Sequence, residues 1–500
     1  MERRANMVRG VSLRELLPES QLLGAGDIRV HSCTSDSRRC RPGDLFVALV
    51  GANQDGHDFA ADAVARGASA VLANRPLPGL GVPICFVPDT AVAHGLICQA
   101  LVDHPSRRLR VVGVTGTNGK TTTTHLIAGI LSAAGCRLGM LGTLGYCDGE
   151  VVAPADHTTP PAPALASWLA RMEANGCSHA VLEVSSHALA QHRLSGVQVD
   201  VACVTNVRHD HFDYHGTQRR YIAAKSRLLE LLAPEGVAIT NGDDAGSSAC
   251  AARYDGPLVT IGIESPAEIT ATLLSQYPSE QTFLLDTGSE AVPVRTTLIG
   301  LHNVYNCLVA AGVGLVYGID VPTIVRGIES VQFVPGRLER LECGQPFSVF
   351  VDYAHTPDAL ATCLDTLRGV TRGRVICVFG AGGDRDRTKR PLMGRAVEVR
   401  ADVAVVTNDN PRSEDPDEIA CQILAGFVDA TSAQVILDRA LAIRWALSEA
   451  RPGDCVVIAG KGHEDYQQIG EERTYFDDRE VARHWLYEST LVDEWNRASA

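Results

Sequence analysis

The sequence predicts an α/β protein of three domains with mainly parallel sheets. Three observations carry that expectation. At 500 residues the chain is too long for one core. In its middle and last segments, short β-branched apolar runs alternate with longer helical stretches, as in βαβ units. Polar or Pro/Gly-bearing stretches separate the segments. DHPSRR closes the first near residue 106, and VPGRLER (Val334 to Arg340) lies between helical and strand patterns. The expected limits are therefore 1–106, 107–335 and 336–500.

Composition narrows the function classes. Hydrophobic residues make up 45% and charged residues 21%, as in soluble globular chains. A net charge of −14 argues against a general nucleic-acid surface, which needs a basic face. It leaves room for small anions in local basic pockets. The start, MERRANMVRGVSLRELL, has no long apolar run, so neither a signal peptide nor a membrane span is expected. The 15 cysteines include no C-x-x-C and read as reduced thiols of a cytoplasmic protein.

The most informative stretch is VTGTNGKTTTTHL, Val114 to Leu126. RVVGVT, Arg110 to Thr115, reads as a buried strand. Leu126, Ile127, Ile130 and Leu131 recur at helical spacing, and Gly135 suits a helix end. A Gly/Thr turn between strand and helix can close its backbone N–H groups on an anion at the helix N-terminus. Lys120 would reach the outer phosphates and the Thr121 hydroxyl would ligate Mg²⁺. Val114 stands where the common P-loop has its first Gly, leaving Gly116-x-x-Gly119-Lys120-Thr121.

Two further strand ends carry polar groups. VLEVSSHALAQHRL puts Glu183 at the end of an apolar run. VDVACVTNVRHDHFDYHG follows another with a His/Asp cluster. Ligands gather at the carboxyl ends of strands in open α/β sheets. The set suits a Mg²⁺-nucleotide site, with Glu183 and His211 as ligands or as groups supporting them. A zinc site on His209, His211 and His215 is the alternative. Asp210 and Asp213 among them, no nearby cysteine and the phosphate loop favour a hard cation.

GTNGKTTT, LEVSSHAL, TNVRHDHFDYHG with the following AAKSRLL, and GLHNVYNCLVAA together resemble the Mur ligases, as does TSDSRRCRPGDLFVALVGANQDGHDFA near the start. These are ATP-dependent amide-forming enzymes of peptidoglycan precursor synthesis. The resemblance runs through essentially the whole chain. It implies a smaller N-terminal UDP-binding α/β domain, a central P-loop-like ATPase domain and a C-terminal Rossmann-like domain, acting as a cytoplasmic monomer. It implies that ATP phosphorylates a substrate carboxylate and that an amine then displaces phosphate. Gly116, Thr117, Asn118, Gly119, Lys120, Thr121 and Thr122 would cradle ATP; Asn303 would contact adenine; Arg337 and Asp352 would reach the nucleotide from the last domain. Thr121, Glu183 and His211 would serve the metal. Lys120, Glu183, His211 and Lys225 form the implied catalytic set. Lys225 aligns with a lysine that relatives carry as a carbamate (N6-carboxylysine), an anion able to hold a second Mg²⁺. An exposed helical lysine is the plainer reading of that residue.

In the last segment FSVFV, VICVF, VAVVT and VVIAG each lead into an unusual loop: DYAHTPDAL, GAGGDRDRTKRPLMG, NDNPRSEDP and KGHEDYQ. A parallel sheet would gather all four at one edge. GAGG is no dinucleotide fingerprint, because Asp384, Arg385 and Asp386 follow where a helix should begin. Within the family, DNPR (Asp409, Asn410, Pro411, Arg412) marks enzymes that add meso-diaminopimelate. That amino acid has a second zwitterionic head. Arg412 and Arg385 could fork its carboxylate, Asp409 and Glu464 could accept from its ammonium, and Gly460 would allow close backbone approach. Taken alone, DNPR is a turn.

The resemblance also implies an acceptor, UDP-N-acetylmuramoyl-L-alanyl-D-glutamate. Ser35 would contact it from the first domain, and Thr158, Thr159, Ser185, Gln191 and Arg193 from the second. His157 stands where relatives commonly have Asn. Two other functions compete. Folylpolyglutamate synthase shares the phosphate loop, but the first-domain motif and DNPR oppose it. A nucleotide switch would need no amino-acid pocket.

Overall fold

The computed structural model describes residues 10–51, 54–208 and 210–498. Three α/β units follow one another. In the first, a five-stranded sheet takes Gln21–Leu23, Ile84–Phe86, Ala70–Ala73, Leu45–Val47 and Cys33–Thr34 in that order. Only Gln21–Leu23 pairs antiparallel. The helix Thr90–Leu101 covers one face, with Ala93 and Ile97 packed on Leu45, Val47 and Leu72.

The central unit is an eleven-stranded sheet. Its strands from Leu138–Gly142 through His179–Glu183, Arg110–Thr115, Val199–Val204, Leu232–Asn241 and Leu258–Gly262 to Ile269–Gln276 run parallel. Gln281–Asp286 and Ala291–Thr296 extend one end antiparallel, and Gly145–Cys147 and Val152–Ala153 the other. The strand period of two explains why both faces are apolar. Val112 and Val114 face Leu126, Ile130, Val304 and Leu308, while Val111 faces the cluster of Leu165, Leu169 and Leu182. Each such side chain, fully buried, stabilises by about 1.5–3 kcal/mol. A strand covered on both faces reads as a continuous apolar run rather than an alternating one. RVVGVT is such a run.

The last unit is a six-stranded sheet ordered Glu339–Arg340, Ser348–Asp352, Cys455–Ala459, Val375–Phe379, Val403–Val406 and Ala433–Val435. All pairs but the first are parallel, so the four unusual loops do leave one edge. A hairpin, Tyr466–Ile469 with Glu472–Tyr475, stands beside that edge. Beneath the sheet, Arg439 on the helix Arg439–Glu449 donates from Nε and Nη2 to the two oxygens of Asp478, each at 2.7 Å. Both residues are buried, Arg439 at 1% and Asp478 at 0% exposure. Removing one partner strands a charge in the interior. Asp478→Asn is therefore expected to destabilise this unit by about 3–5 kcal/mol, read as a lowered urea midpoint. Among the described residues, no helix is long and apolar enough to cross a membrane.

Candidate active site

The strand Arg110–Thr115 delivers the phosphate loop, and the helix Lys120–Ala133 follows it. Gly119 is left-handed, at φ +86°, and a Cβ there would lie 2.4 Å from Asn306 Oδ1. The residues after Val204 set the loop's shape. Thr117 N donates to Asn206 O at 2.8 Å, Asn118 N to Asn206 Oδ1 at 2.9 Å, and Thr205 Oγ1 to Asn118 O at 2.6 Å. Thr205, Asn206 and Asn306 were not singled out from sequence, although each sits inside a quoted motif. Asn306 is one helical turn from Asn303 and donates to its Oδ1 at 3.0 Å. That i,i+3 spacing was a readable signal. Gly119→Ala is expected to add about 1–3 kcal/mol of backbone strain and to raise the KM for ATP. Pairing it with Asn306→Ala should relieve the clash but leave the strain, seen as partial recovery of melting temperature.

Glu183 ends its strand 1% exposed, accepting from Thr121 Oγ1 at 3.0 Å, Thr143 N at 2.9 Å and Thr143 Oγ1 at 3.0 Å. Arg337 Nη2 crosses from the last unit to donate to Thr121 Oγ1 at 3.2 Å. Its guanidinium lies 4.5 Å from the ring centre of Tyr353. Lys120 folds back, its Nζ donating to Gly116 O and Thr117 O, each at 2.9 Å. Lys225 Nζ donates to the same Gly116 oxygen at 2.7 Å. At 1% exposure Lys225 is no surface lysine. Burial, then the charge of Lys120, drives its pKa well below the ordinary value. Burial likewise lowers that of Lys120, against Glu183 and Asp210.

His211 is left-handed, at φ +54°, a conformation that costs an ordinary residue of order 1–3 kcal/mol. Packing in the cleft pushes its pKa down to about 4, against Asp210, so the imidazole is neutral and able to ligate. Its ring stands edge-on to His187 at 4.9 Å. His215 is buried and its Nε2 pairs with Ser186 Oγ at 3.0 Å, which uses it structurally. His209 lies outside the described residues.

A cavity of about 590 Å³ opens over the loop. Thr117 to Thr122 line one side and His211 and Thr158 another; Asn303, Arg337 and Asp352 complete it. Asn303 Nδ2 donates to Ile299 O at 2.8 Å. Asp352 accepts from Leu338 N at 2.7 Å and Ala354 N at 2.8 Å, fixing the turn that carries Arg337. Besides Arg337 to Thr121, the contacts that bind the units across the cavity include Asn118 Nδ2 to Asp358 Oδ2 and Arg208 Nη1 to Asp358 Oδ1, both 3.3 Å.

The residues expected at the acceptor form a chain beside Glu183. Thr159 Oγ1 donates to Glu183 O at 2.7 Å and accepts from Ser185 N at 3.0 Å. Thr158 Oγ1 meets Thr143 Oγ1 at 3.0 Å. Arg193 donates to Thr159 O at 2.6 Å and to Gln191 Oε1 at 2.8 and 3.0 Å. His157 has its backbone held by the Tyr146 hydroxyl. Ser35 stands apart from this chain, exposed after the strand Cys33–Thr34.

In the last unit Asn410, 2% exposed, knits the edge loops. Its Nδ2 donates to Glu464 Oε2 at 2.9 Å, and its Oδ1 accepts from Lys461 Nζ and Gln468 N, each at 2.9 Å. Arg412 is left-handed, at φ +51°, and its Nη1 donates to Gly383 O at 2.7 Å. The unforeseen hairpin seats its backbone: Arg412 N donates to Gln468 O at 3.1 Å, and Gly470 N donates to Arg412 O at 2.7 Å. Asp409 is 8% exposed beside Lys461 and Arg439, which lower its pKa against burial. Gly460, at φ +116°, makes room for the Asp409 carboxylate, since a Cβ would lie 2.6 Å from Oδ2. Pro411 is buried, and Arg385 is exposed, donating to Asp384 O at 3.3 Å. The charged side chains at this edge are thus the exposed Arg385 and the half-buried Arg412 and Glu464, with Asp409 more deeply buried among them.

Comparison with known proteins covers the same three units. Residues 29–91 match the Mur ligase family catalytic domain, 114–314 the Mur ligase middle domain, and 336–462 the Mur ligase glutamate ligase domain. The chain is 43% identical over 480 residues to the UDP-N-acetylmuramoyl-L-alanyl-D-glutamate–2,6-diaminopimelate ligase of Geobacillus thermodenitrificans, covering 94% of this chain and 98% of that one. A solved structure of a protein with that name aligns with TM-score 0.69 at 33% identity, over 96% of this chain and 99% of that one. Folylpolyglutamate synthase of Mycobacterium tuberculosis, complexed with ADP and AMPPCP, aligns with TM-score 0.61 at 21% identity, over 74% of this chain and 92% of that one, a likeness of fold alone. With all three units matched by Mur ligase models and 43% identity to a relative along 94% of its length, the chain belongs to the Mur ligase family.

Proposed function

We propose that this chain joins meso-2,6-diaminopimelate to UDP-N-acetylmuramoyl-L-alanyl-D-glutamate at the expense of ATP. Its domains would divide near residues 106 and 335. The observation that supports the two substrates is the 43% identity, along 94% of the chain, with a ligase named for them. The geometry supports the chemistry. The γ-phosphoryl group moves from ATP to the D-glutamate side-chain carboxylate: the bond from phosphorus to the β–γ bridging oxygen breaks, and one to a carboxylate oxygen forms. An uncharged amine of diaminopimelate then attacks the acyl carbon. A C–N bond forms, the C–O bond to phosphate breaks, and the nitrogen loses a proton. Phosphorylation matters because a carboxylate is a poor electrophile and phosphate a good leaving group.

The residues present fit a hard divalent cation. Thr121 supplies a hydroxyl, Glu183 a buried carboxylate and His211 a neutral imidazole. Bound Mg²⁺ would add positive charge beside the transferring phosphoryl oxygens. Lys120 and the loop N–H groups hold the phosphates, and Arg337 brings a second cation from the last unit.

Lys225 fits a carbamate. Two lysine nitrogens on one carbonyl oxygen are an unfavourable pair when both are charged. Burial and the charge of Lys120 lower the pKa of Lys225, which enlarges the share of neutral amine that CO₂ requires. Its carboxylation would replace a repelled cation with an anion, attractive to Lys120 and to a second Mg²⁺.

At the far edge, Arg412 would fork the distal carboxylate of diaminopimelate, with Glu464 and Asp409 facing its ammonium and Asn410 fixing their spacing. The reading is tested by incubating the protein with ATP, Mg²⁺ and acceptor, and offering diaminopimelate or lysine separately. A tripeptide product and matched phosphate release with diaminopimelate alone are expected. Equal product from lysine would remove the specificity; product without ATP consumption would remove the mechanism.

A further inference from the structure

The N-terminal unit holds a second cluster, outside the phosphate loop and its strand. Cys33 lies on the edge strand Cys33–Thr34, and His94 and Cys98 lie four residues apart on the helix Thr90–Leu101. That spacing puts the last two on one helical face. One ligand atom from each of the three lies within 4.8 Å of the others, and the sulfurs are 3.9 Å apart. Among the described residues no other group of three such side chains converges so closely.

Three physical features point to a cation. Two zinc–sulfur bonds of about 2.3 Å at a tetrahedral angle separate their sulfurs by about 3.8 Å, close to the distance seen here. His94 is 5% exposed, and its Nε2 is buried without a hydrogen-bond partner. Such an orphan is costly in an apolar setting unless something binds it. Cys33 is only half-buried, which leaves a way in, whereas Cys98 is 4% exposed.

We propose that Cys33, His94 and Cys98 form a site for a thiophilic divalent cation of the zinc class, with the fourth position open to an exogenous ligand. Two S–H bonds break, two protons leave to solvent and two metal–sulfur bonds form, while the imidazole donates a lone pair. The buried carboxylate of Asp44 lies near enough to act on Cys33 and adds negative charge. Loading the site would tie the sheet edge to the helix. Cys98 also packs on Ala162 and Ala166 of the central unit, so the tie extends across the boundary between the two units. The site is independent of the reaction proposed above and uses none of its residues.

Cobalt(II) titration of the full-length, reduced, metal-stripped protein tests this. One equivalent should bind with a strong thiolate-to-cobalt charge-transfer band that zinc bleaches, and zinc should raise the melting temperature. Cys33→Ser and Cys98→Ser should each abolish the band and weaken binding at least tenfold, and His94→Asn should weaken it. Cys421→Ser, at an exposed cysteine, should change nothing. If Cys98→Ser does not fold, Cys33→Ser at the half-buried position still decides the matter. A band that survives Cys33→Ser overturns the proposal. So does a reduced protein that takes up no cobalt, including one that forms only a Cys33–Cys98 disulfide in air.

Discussion

Lys225→Ala is expected to lower kcat by about 100-fold or more, the scale seen when one element of transition-state charge stabilisation is lost. ATP should still bind, because the loop N–H groups and Lys120 remain. The sharper signature is chemical rescue. A cavity at position 225 beside Lys120 would admit formate or acetate, and millimolar amounts should restore part of kcat in the variant and none in the wild type. The wild-type enzyme should lose activity when CO₂ is stripped at mildly acidic pH, where a carbamate decomposes, and regain it on adding bicarbonate. The sign follows from the pKa: burial and the charge of Lys120 lower it, so at any given pH more of this lysine is the neutral amine that reacts with CO₂ than of a surface lysine. A fully active, rescue-indifferent Lys225→Ala would leave the buried ammonium with no catalytic part.

Arg412→Ala should lower kcat/KM for diaminopimelate by roughly 10²–10³, about 3–4 kcal/mol, with the KM for ATP unchanged within about twofold. The size follows from a distal carboxylate left without its guanidinium in a site built of polar partners. Arg412→Lys should recover little, because an ammonium cannot form the planar fork. Because Arg412 also donates to Gly383 O, melting curves should accompany the kinetics. A parallel loss of ATP and diaminopimelate use would assign the arginine to folding of the loop instead.

Much of this protein was legible in its residues. RVVGVT, VICVF and VVIAG read as buried parallel strands because their apolar side chains serve both faces of a covered sheet. The Gly/Thr turn between RVVGVT and the following helix read as a phosphate cradle because glycines let backbone N–H groups close on an anion at a helix N-terminus. The hairpin Tyr466–Ile469 with Glu472–Tyr475 was not legible. Its composition, QQIGEERTY, is polar and exposed, and it owes its place to docking against Arg412. The surroundings of Asp409 were not legible either: it lies 8% exposed beside Lys461 and Arg439, neighbours that come from other loops and helices of the unit. Strain was equally silent at Leu338 and Arg412, which adopt positive φ although nothing in their side-chain chemistry announces it.

The sequence by itself determined the α/β class, the alternation of strands and helices in the middle and last segments, and the kinds of chemical group at the carboxyl ends of the strands it revealed. Local pattern suffices for these, since periodicity and turn chemistry act over a few residues. Tertiary structure alone decided that Lys120 and Lys225 would meet on one carbonyl oxygen across 105 residues of chain, and that Arg337 would reach Thr121 from another unit. It also decided that Cys33 would lie against His94 and Cys98. Charge repulsion, desolvation and metal affinity depend on distance and burial in space, and neither is written into the spacing of residues along the chain.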